Sequence, residues 1–160
     1  TSYCYHVKGN FATRVKAAVL GATEIDVDFN VNVNTHSDGW LLHGIGGFTD
    51  VCDAWCTIIT APLLRGRLAS IVDSVTTVTA PGETIDVLVT ERGVAVNPAR
   101  TDILERLKGS KLPVVSIGDL RKMAVEMAGE PEKPQFEDRI VALIEYRDGT
   151  VIDTVRQLKV

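Results

Sequence analysis

The chain predicts an α/β fold of three layers built on a largely parallel sheet. Three observations carry that expectation. Short runs rich in Val, Ile and Thr alternate with amphipathic stretches at helical spacing. Gly, Pro, Asn and Asp punctuate the ends of those runs. With 45% hydrophobic and 24% charged residues, 160 residues suffice for one sizeable core, so residues 1–160 read as a single domain.

The elements follow in order. Phe11, Val15, Ala18, Val19 and Ala22 recur at helical spacing, with Asn10 as cap and Lys8, Arg14 and Lys16 on wetter positions. Residues 24–33 alternate strictly, which predicts a half-buried strand. Ile25, Val27, Phe29, Val31 and Val33 would face inward, and Asp26, Asp28, Asn30 and Asn32 outward. A short helix is expected over 50–55 and a buried strand over 56–61, ended by Pro62. Residues 68–78 and 85–90 read as further strands, the second returning through 94–96 after a turn at Arg92-Gly93. Residues 101–108 form a helix stopped by Gly109, and 112–117 a strand. Ser116 and Asp119 have capping-box spacing ahead of Leu120, Met123, Ala124 and Met127. Residues 129–134, acidic and with two prolines, are linker-like. A last hairpin pairs 139–146 with 150–158 around Asp148-Gly149.

Charge and cysteine usage exclude some function classes. A formal charge of -4 argues against a general nucleic-acid surface, which is normally basic. No apolar run approaches a membrane span, and no signal-peptide pattern opens the chain. Cys4, Cys52 and Cys56 form neither an even disulfide framework nor a paired zinc spacing. Cys52 and Cys56 read as buried thiols rather than as metal ligands with His43, which fits a reducing cytoplasm. The chain starts at Thr1, directly in structured-looking sequence, and is read as a piece of a longer polypeptide.

The stretch from Ser37 to Asp50 is where chemistry would sit. An acid-and-glycine turn, Ser37-Asp38-Gly39, leads through a short apolar segment to Gly44-Ile45-Gly46-Gly47-Phe48-Thr49-Asp50. Glycine lets backbone N–H groups approach a ligand with no side chain in the way. A helix start beside them adds free donors. Such a loop suits a phosphate, a carboxylate or a developing oxyanion. In parallel sheets ligands sit at the carboxyl ends of strands, and both the Ser37 turn and the Gly44–Gly47 loop follow expected strands.

Several segments together resemble the citrate lyase α-chain family. These are Glu24-Ile25-Asp26-Val27-Asp28-Phe29-Asn30-Val31-Asn32-Val33, Gly46-Gly47-Phe48-Thr49-Asp50 and Ala61-Pro62-Leu63-Leu64-Arg65-Gly66-Arg67. Val72-Asp73-Ser74-Val75-Thr76-Thr77-Val78 and Pro81-Gly82-Glu83-Thr84-Ile85-Asp86-Val87-Leu88-Val89-Thr90 continue in the same register. Gly93-Val94-Ala95-Val96-Asn97-Pro98-Ala99-Arg100 and Tyr146-Arg147-Asp148-Gly149-Thr150 close it.

The resemblance implies a CoA-transferase-like α/β domain, the second of two similar halves of an α chain. It implies exchange of acetyl for citryl on a thiol, with release of acetate, through a transient mixed anhydride. The thiol belongs to a CoA-derived (phosphoribosyl-dephospho-CoA) group on the acyl carrier protein, the γ chain, and a β chain then cleaves the citryl thioester. Partners implied are therefore citrate, an acetyl thioester, the γ and β chains and the N-terminal half of the same chain. No metal, nucleic acid or membrane is implied.

Gly46 and Gly47 are the expected donors to the thioester oxyanion, set against a tight turn with no ligand. Asp38 lies about where related transferases with a covalent carboxylate place a glutamate; it is read as a positioning or substrate-contact residue, set against a plain Asx-turn. Ser37, Gly39, Gly44, Phe48 and Thr49 complete the expected substrate contacts, and Phe48 stands where the family often has histidine. Arg65 and Arg67 flank Gly66 and suit carboxylates or phosphates, or else are solvated. His36 and His43 read as packed or hydrogen-bonded residues rather than bases. Asn32 and Asn34 either reach a ligand or lie on a solvated strand face. The alternatives are a related acyl-CoA transferase or thioester hydrolase, and a non-catalytic supporting half that docks the carrier protein. A sugar-phosphate-binding module is a third, since fold does not decide function.

Overall fold

A computed structural model describes residues 14–159 of the protein. In chain order its elements are β1 (Ala17–Gly21), β2 (Glu24–Asp26), β3 (Val31–Asn32), α1 (Phe48–Val51), β4 (Cys56–Thr60), β5 (Leu64–Arg65), β6 (Leu68–Ala69) and β7 (Ile71–Val72). There follow β8 (Val87–Thr90), β9 (Gly93–Val96), α2 (Thr101–Leu107), α3 (Ile117–Ala128), β10 (Phe136–Glu145) and β11 (Val151–Leu158).

The central sheet has the order β1-β4-β8-β9. β1, β4 and β8 run parallel, with Ala17 opposite Cys56 and Ile59 opposite Leu88; β9 returns antiparallel to β8 at the edge. Strand alternation sends its side chains to two sides. Ile58, Val87, Val89, Val94 and Val96 meet Ile103, Leu104 and Leu107 of α2. Ile59, Leu88 and Ala95 join the larger core with Leu120 and Ala124 of α3 and with Ile25, Val31 and Ile71 of a second sheet, β3-β2-β7. The α/β class and its layering are therefore as the sequence predicts. The parallel part is confined to β1-β4-β8 and the β2–β7 pair, while the small sheets add antiparallel pairs. β10 and β11 form a long antiparallel hairpin, as expected, with register shifts along it.

Residues 17–21 form a strand, not the helix that the spacing predicts. Small apolar residues fit either period, and pairing with β4 decides between them. Phe11 and Asn10 lie outside the described residues.

The alternation over 24–33 does not give one half-wet strand. Asp26 Oδ1 accepts from the amides of Asp28 and Asn30 at 3.0 and 2.9 Å, and its Oδ2 from Asn30 Nδ2 at 3.1 Å. That carboxylate folds the chain back as the β2–β3 turn, with Phe29 at φ 65°. Half of the expected outer face is buried, Asp26 at 2% and Asn32 at 0% exposed with Glu24 beside them at 2%, while Asp28 is exposed as expected and Asn30 is half-buried. Gly82 presses against this turn so closely that a Cβ would lie 1.9 Å from the Asp28 carbonyl oxygen.

Two of these carboxylates, with Asp153 of the C-terminal hairpin, explain why residues 68–78 hold only two short strands. Val75 N donates to Asp26 Oδ2, Thr76 N to Glu24 Oε2 and Val78 N to Asp153 Oδ2. Side chains there take the place of a neighbouring strand. Residues 112–117 likewise make only a bridge, Val114 to Val94. α1 starts at Phe48, two residues earlier than expected, whereas α2 and the Ser116 cap of α3 match the expectation, Ser116 Oγ accepting from Asp119 N at 3.0 Å.

Candidate functional site

The long segment between β3 and α1 carries most of the expected site. At its start the His36 carbonyl accepts from Gly39 N at 3.0 Å, closing a turn over Ser37 and Asp38. Asp38 Oδ1 accepts from Trp40 N at 3.1 Å, the Asx-turn arrangement. Gly39 has φ +89°, and a Cβ on it would lie 2.9 Å from Leu158 Cδ1 and 3.0 Å from the Phe136 ring. The positive φ and the hairpin packed onto it give a structural reason for glycine at this position.

Ser37 and Asp38 line a cavity of about 320 Å³ together with Arg67, Glu130 and Glu132. One guanidinium there faces three carboxylates, of which Glu130 is itself bonded by Arg121 Nη2 at 2.8 Å. That balance gives an incoming polycarboxylate little net attraction. Arg65 is used elsewhere, its Nη2 donating to the Ala22 carbonyl at 2.8 Å.

The glycine loop lies apart from this cavity. Gly44 and Ile45 line a second one of about 360 Å³, with Asn34, Leu41 and His43 on one wall and Ala142, Leu143, Ile144, Glu145 and Val155 of the hairpin on the other. His43 Nδ1 sits 2.9 Å from the Gly44 carbonyl, and since a carbonyl oxygen only accepts, Nδ1 carries the proton. The Ile45 carbonyl accepts from Phe48 N at 3.3 Å, turning the chain through Gly46 and Gly47 into α1. The amides of Gly46 and Gly47 donate to no described group. Phe48 and Thr49 are both buried, Phe48 in the larger core, so their side chains do not face the loop's open side.

The three loop glycines differ in why they are glycine. Gly46 has φ +62°, a conformation that disfavours any side chain. Gly47 has φ −95° and ψ 19°, which any residue adopts, and a Cβ there would meet only Asp50 Oδ2 at 3.8 Å. Gly44 has open space around its Cβ position and no positive φ. Neither backbone strain nor packing requires glycine at 44 or 47.

The two described cysteines, Cys52 and Cys56, are structural, and Cys4 lies outside the described residues. Cys52 is buried, its Sγ donates to the Phe48 carbonyl at 3.2 Å, and burial pushes the thiol up to about 12. Burial raises Cys56 as well. Among the described residues, no three His, Cys, Asp or Glu side chains converge on a possible metal position. No helix of the described residues is long and apolar enough to cross a membrane.

With this geometry in place, comparison with known proteins assigns the family. Residues 2–158 match the family model of the citrate lyase alpha subunit. The chain belongs to the citrate lyase alpha subunit family. It is 47% identical over 153 residues to the citrate lyase alpha chain of Klebsiella pneumoniae, covering 95% of this chain and 30% of that one. Against the Escherichia coli citrate lyase alpha chain the identity is 50% over 153 residues, with the same shares. The alpha subunit of citrate lyase from Streptococcus mutans, solved in complex with citrate, superposes with a TM-score of 0.94 at 44% identity over 97% of this chain and 31% of that one. The chain thus spans about 30% of the length of the curated relatives it matches, a smaller share than the half expected.

Within a citrate lyase alpha subunit this segment holds a buried polar network, whereas the sequence reading has Asn32 and Asn34 either reaching a ligand or lying on a solvated strand face. Asn32 Nδ2 donates to Glu24 Oε2 at 2.8 Å, and Asn32 Oδ1 accepts from Asn34 N and Thr35 N, both at 3.1 Å. Asn34 is 2% exposed and linked to Thr79. The signal was a run of amides and acids beside the glycine loop. Their partners at 76–79 lie some 45 to 52 residues away, beyond any local pattern.

Proposed function

We propose that this segment supplies the glycine-loop wall of an acyl-exchange site in which citrate displaces acetate from a thioester. A citrate carboxylate oxygen bonds to the thioester carbonyl carbon, and the carbonyl electrons move onto oxygen. Collapse expels the thiolate and leaves a mixed acetyl–citryl anhydride. The thiolate then attacks the citryl carbonyl, and acetate leaves. No proton has to be removed from an ionised citrate, which accords with the absence of a required base. Negative charge develops on the carbonyl oxygen, and preorganised amides at that point lower the barrier. Loss of one such donor typically costs about 10²–10³ in rate.

The observation that carries the proposal is that Gly44 and Gly47 are glycine with no structural need to be, beside amides that donate to no described group. Close approach of a ligand to the backbone supplies the missing reason. The citrate bound to the Streptococcus mutans relative supports the choice of acceptor. The apolar wall of Leu41, Ile45 and Leu143 suits the slender arm of a thioester carried on a CoA-derived group of a carrier protein. The γ and β chains, the cytoplasm and the remainder of the alpha chain are the setting this reading requires.

A second reading has an observation of its own. Trp40 and Leu41 are each 58% exposed and Leu42 37%, an apolar run suited to docking a carrier in a supporting, non-catalytic segment. An acceptor screen on the full-length alpha chain separates the readings. Acetate release from an acetyl thioester that requires citrate, and not water or another carboxylate, supports exchange. Release to water alone makes the protein a thioester hydrolase, and no release makes this segment a docking support.

A further inference from the structure

We propose that Asn34 is a positioning residue for the glycine loop, holding the His43–Gly44 peptide so that the amides beyond it keep their aim; the inference rests on the acyl-exchange reading above. Asn34 touches no reacting atom in this scheme. It acts through the backbone it grips.

The grip is directional. Thr79 Oγ1 accepts from Val33 N at 2.9 Å, which leaves its own hydrogen to donate to Asn34 Oδ1 at 2.6 Å. The amide is therefore oriented, and its Nδ2 faces the His43 carbonyl, to which it donates at 2.9 Å. Asn34 also uses its backbone, its carbonyl accepting from Leu42 N at 2.7 Å. Its own amide donates to Asn32 Oδ1, and Asn32 Nδ2 is held by the buried Glu24 carboxylate. The chain of bonds thus runs from Glu24 and Thr79, both at most 2% exposed, to the carbonyl immediately before Gly44.

Among the described residues the loop has no other comparable anchor. Gly44, Gly46 and Gly47 are all exposed, and the next backbone bond is the 3.3 Å contact between Ile45 and Phe48. Three glycines in four residues give the backbone wide freedom, and buried hydrogen bonds at its entry restrict it. Displacement of a group by about 1 Å is enough to cost about 10²-fold in rate.

The test uses the full-length alpha chain and citrate-dependent release of acetate from an acetyl thioester. In Asn34→Asp the donor to His43 is replaced by an acceptor. Thr79→Val removes the hydroxyl that orients the amide and accepts from Val33 N, and Thr79→Ser keeps both bonds. Each is checked by circular dichroism and rates are normalised to folded protein, so Thr79→Val carries the test if Asn34→Asp does not fold. The expected result is a kcat lower by about 10²-fold in Asn34→Asp and Thr79→Val, an unchanged KM for citrate, and recovery of kcat in Thr79→Ser. A wild-type kcat in the folded Asn34→Asp or Thr79→Val proteins overturns the inference, as does a Thr79→Ser protein as slow as Thr79→Val. Gly47→Val is run alongside. If it loses turnover while the Asn34 and Thr79 variants keep theirs, only this inference fails; if it too is unaffected, the acyl-exchange reading fails with it.

Discussion

Arg147 Nη2 donates to Asp53 Oδ1 at 2.6 Å, joining residues 94 positions apart and tying the turn of the β10–β11 hairpin to the segment after α1. At the hairpin's other end Leu158 and Phe136 rest on Gly39. Between those two anchors the hairpin straps the whole segment from the Ser37 turn to the glycine loop and walls the cavity at Gly44. Both partners of the ion pair are mostly shielded, so Arg147→Met should cost about 1.5–3 kcal/mol, the range for a charged hydrogen bond. Urea unfolding of the variant measures it, and an unchanged midpoint would show the hairpin to be held by its apolar contacts alone.

Gly39 is the opposite anchor. Alanine there meets both a left-handed backbone and side chains at 2.9–3.0 Å. The expected loss is about 1–3 kcal/mol. A Gly39→Ala protein that melts with the wild type would mean that Leu158 and Phe136 move aside at no cost.

What the sequence made legible was local. The Ser116 cap, the Asp148-Gly149 turn and the strand at 56–60 are each signalled by residues within a short run, and each is found. The Ser37–Gly39 turn is also found, and so is the glycine turn into a helix. The alternation at 24–33 misled because its polar residues bind distant amides, Asp26 reaching Val75 and Glu24 reaching Thr76. A period of two says which residues share a face, not whether that face is wet. The expected site was divided for a similar reason. Asp38 and Gly44 are six residues apart, yet the segment between them doubles back through the Thr35–Leu41 bridge and they line different cavities. Arg65 and Arg67 part company because the first is taken up by the Ala22 carbonyl.

Acid behaviour has a specific expectation at the start of α2. Arg100 Nε and Nη2 donate to the two Asp102 carboxylate oxygens at 2.9 and 3.0 Å, holding that carboxyl down at about 2 from its ordinary 3.8. A folded-state value below the unfolded one adds stability that is present above 3.8 and is lost as pH falls through about 2. The melting difference between wild type and Asp102→Asn should therefore be constant from pH 7 to pH 5 and shrink toward zero near pH 2. A difference that grows on acidification would contradict the pairing.

Thiol chemistry separates buried from reactive cysteine. With Cys52 pushed up to about 12 by burial, its thiolate is scarce at pH 8. Iodoacetamide should leave Cys52 unmodified in the native full-length chain and label it in urea, as read by peptide mass spectrometry. Native labelling at a rate like that of a free thiol would place Cys52 at an accessible, activated position instead.

The most direct test of the central claim pairs folding with turnover in Gly47→Val of the full-length alpha chain. The backbone at position 47 admits any residue, and a Cβ there has room. The substitution should therefore leave stability within about 1 kcal/mol of wild type, since reduced freedom in the unfolded chain offsets a poorer helix cap. Citrate-dependent acetate release should fall by about 10²–10³ as the side chain screens the amides. A folded Gly47→Val protein that turns over at the wild-type rate would contradict the account, and the glycine loop would then be no part of the acyl-exchange site.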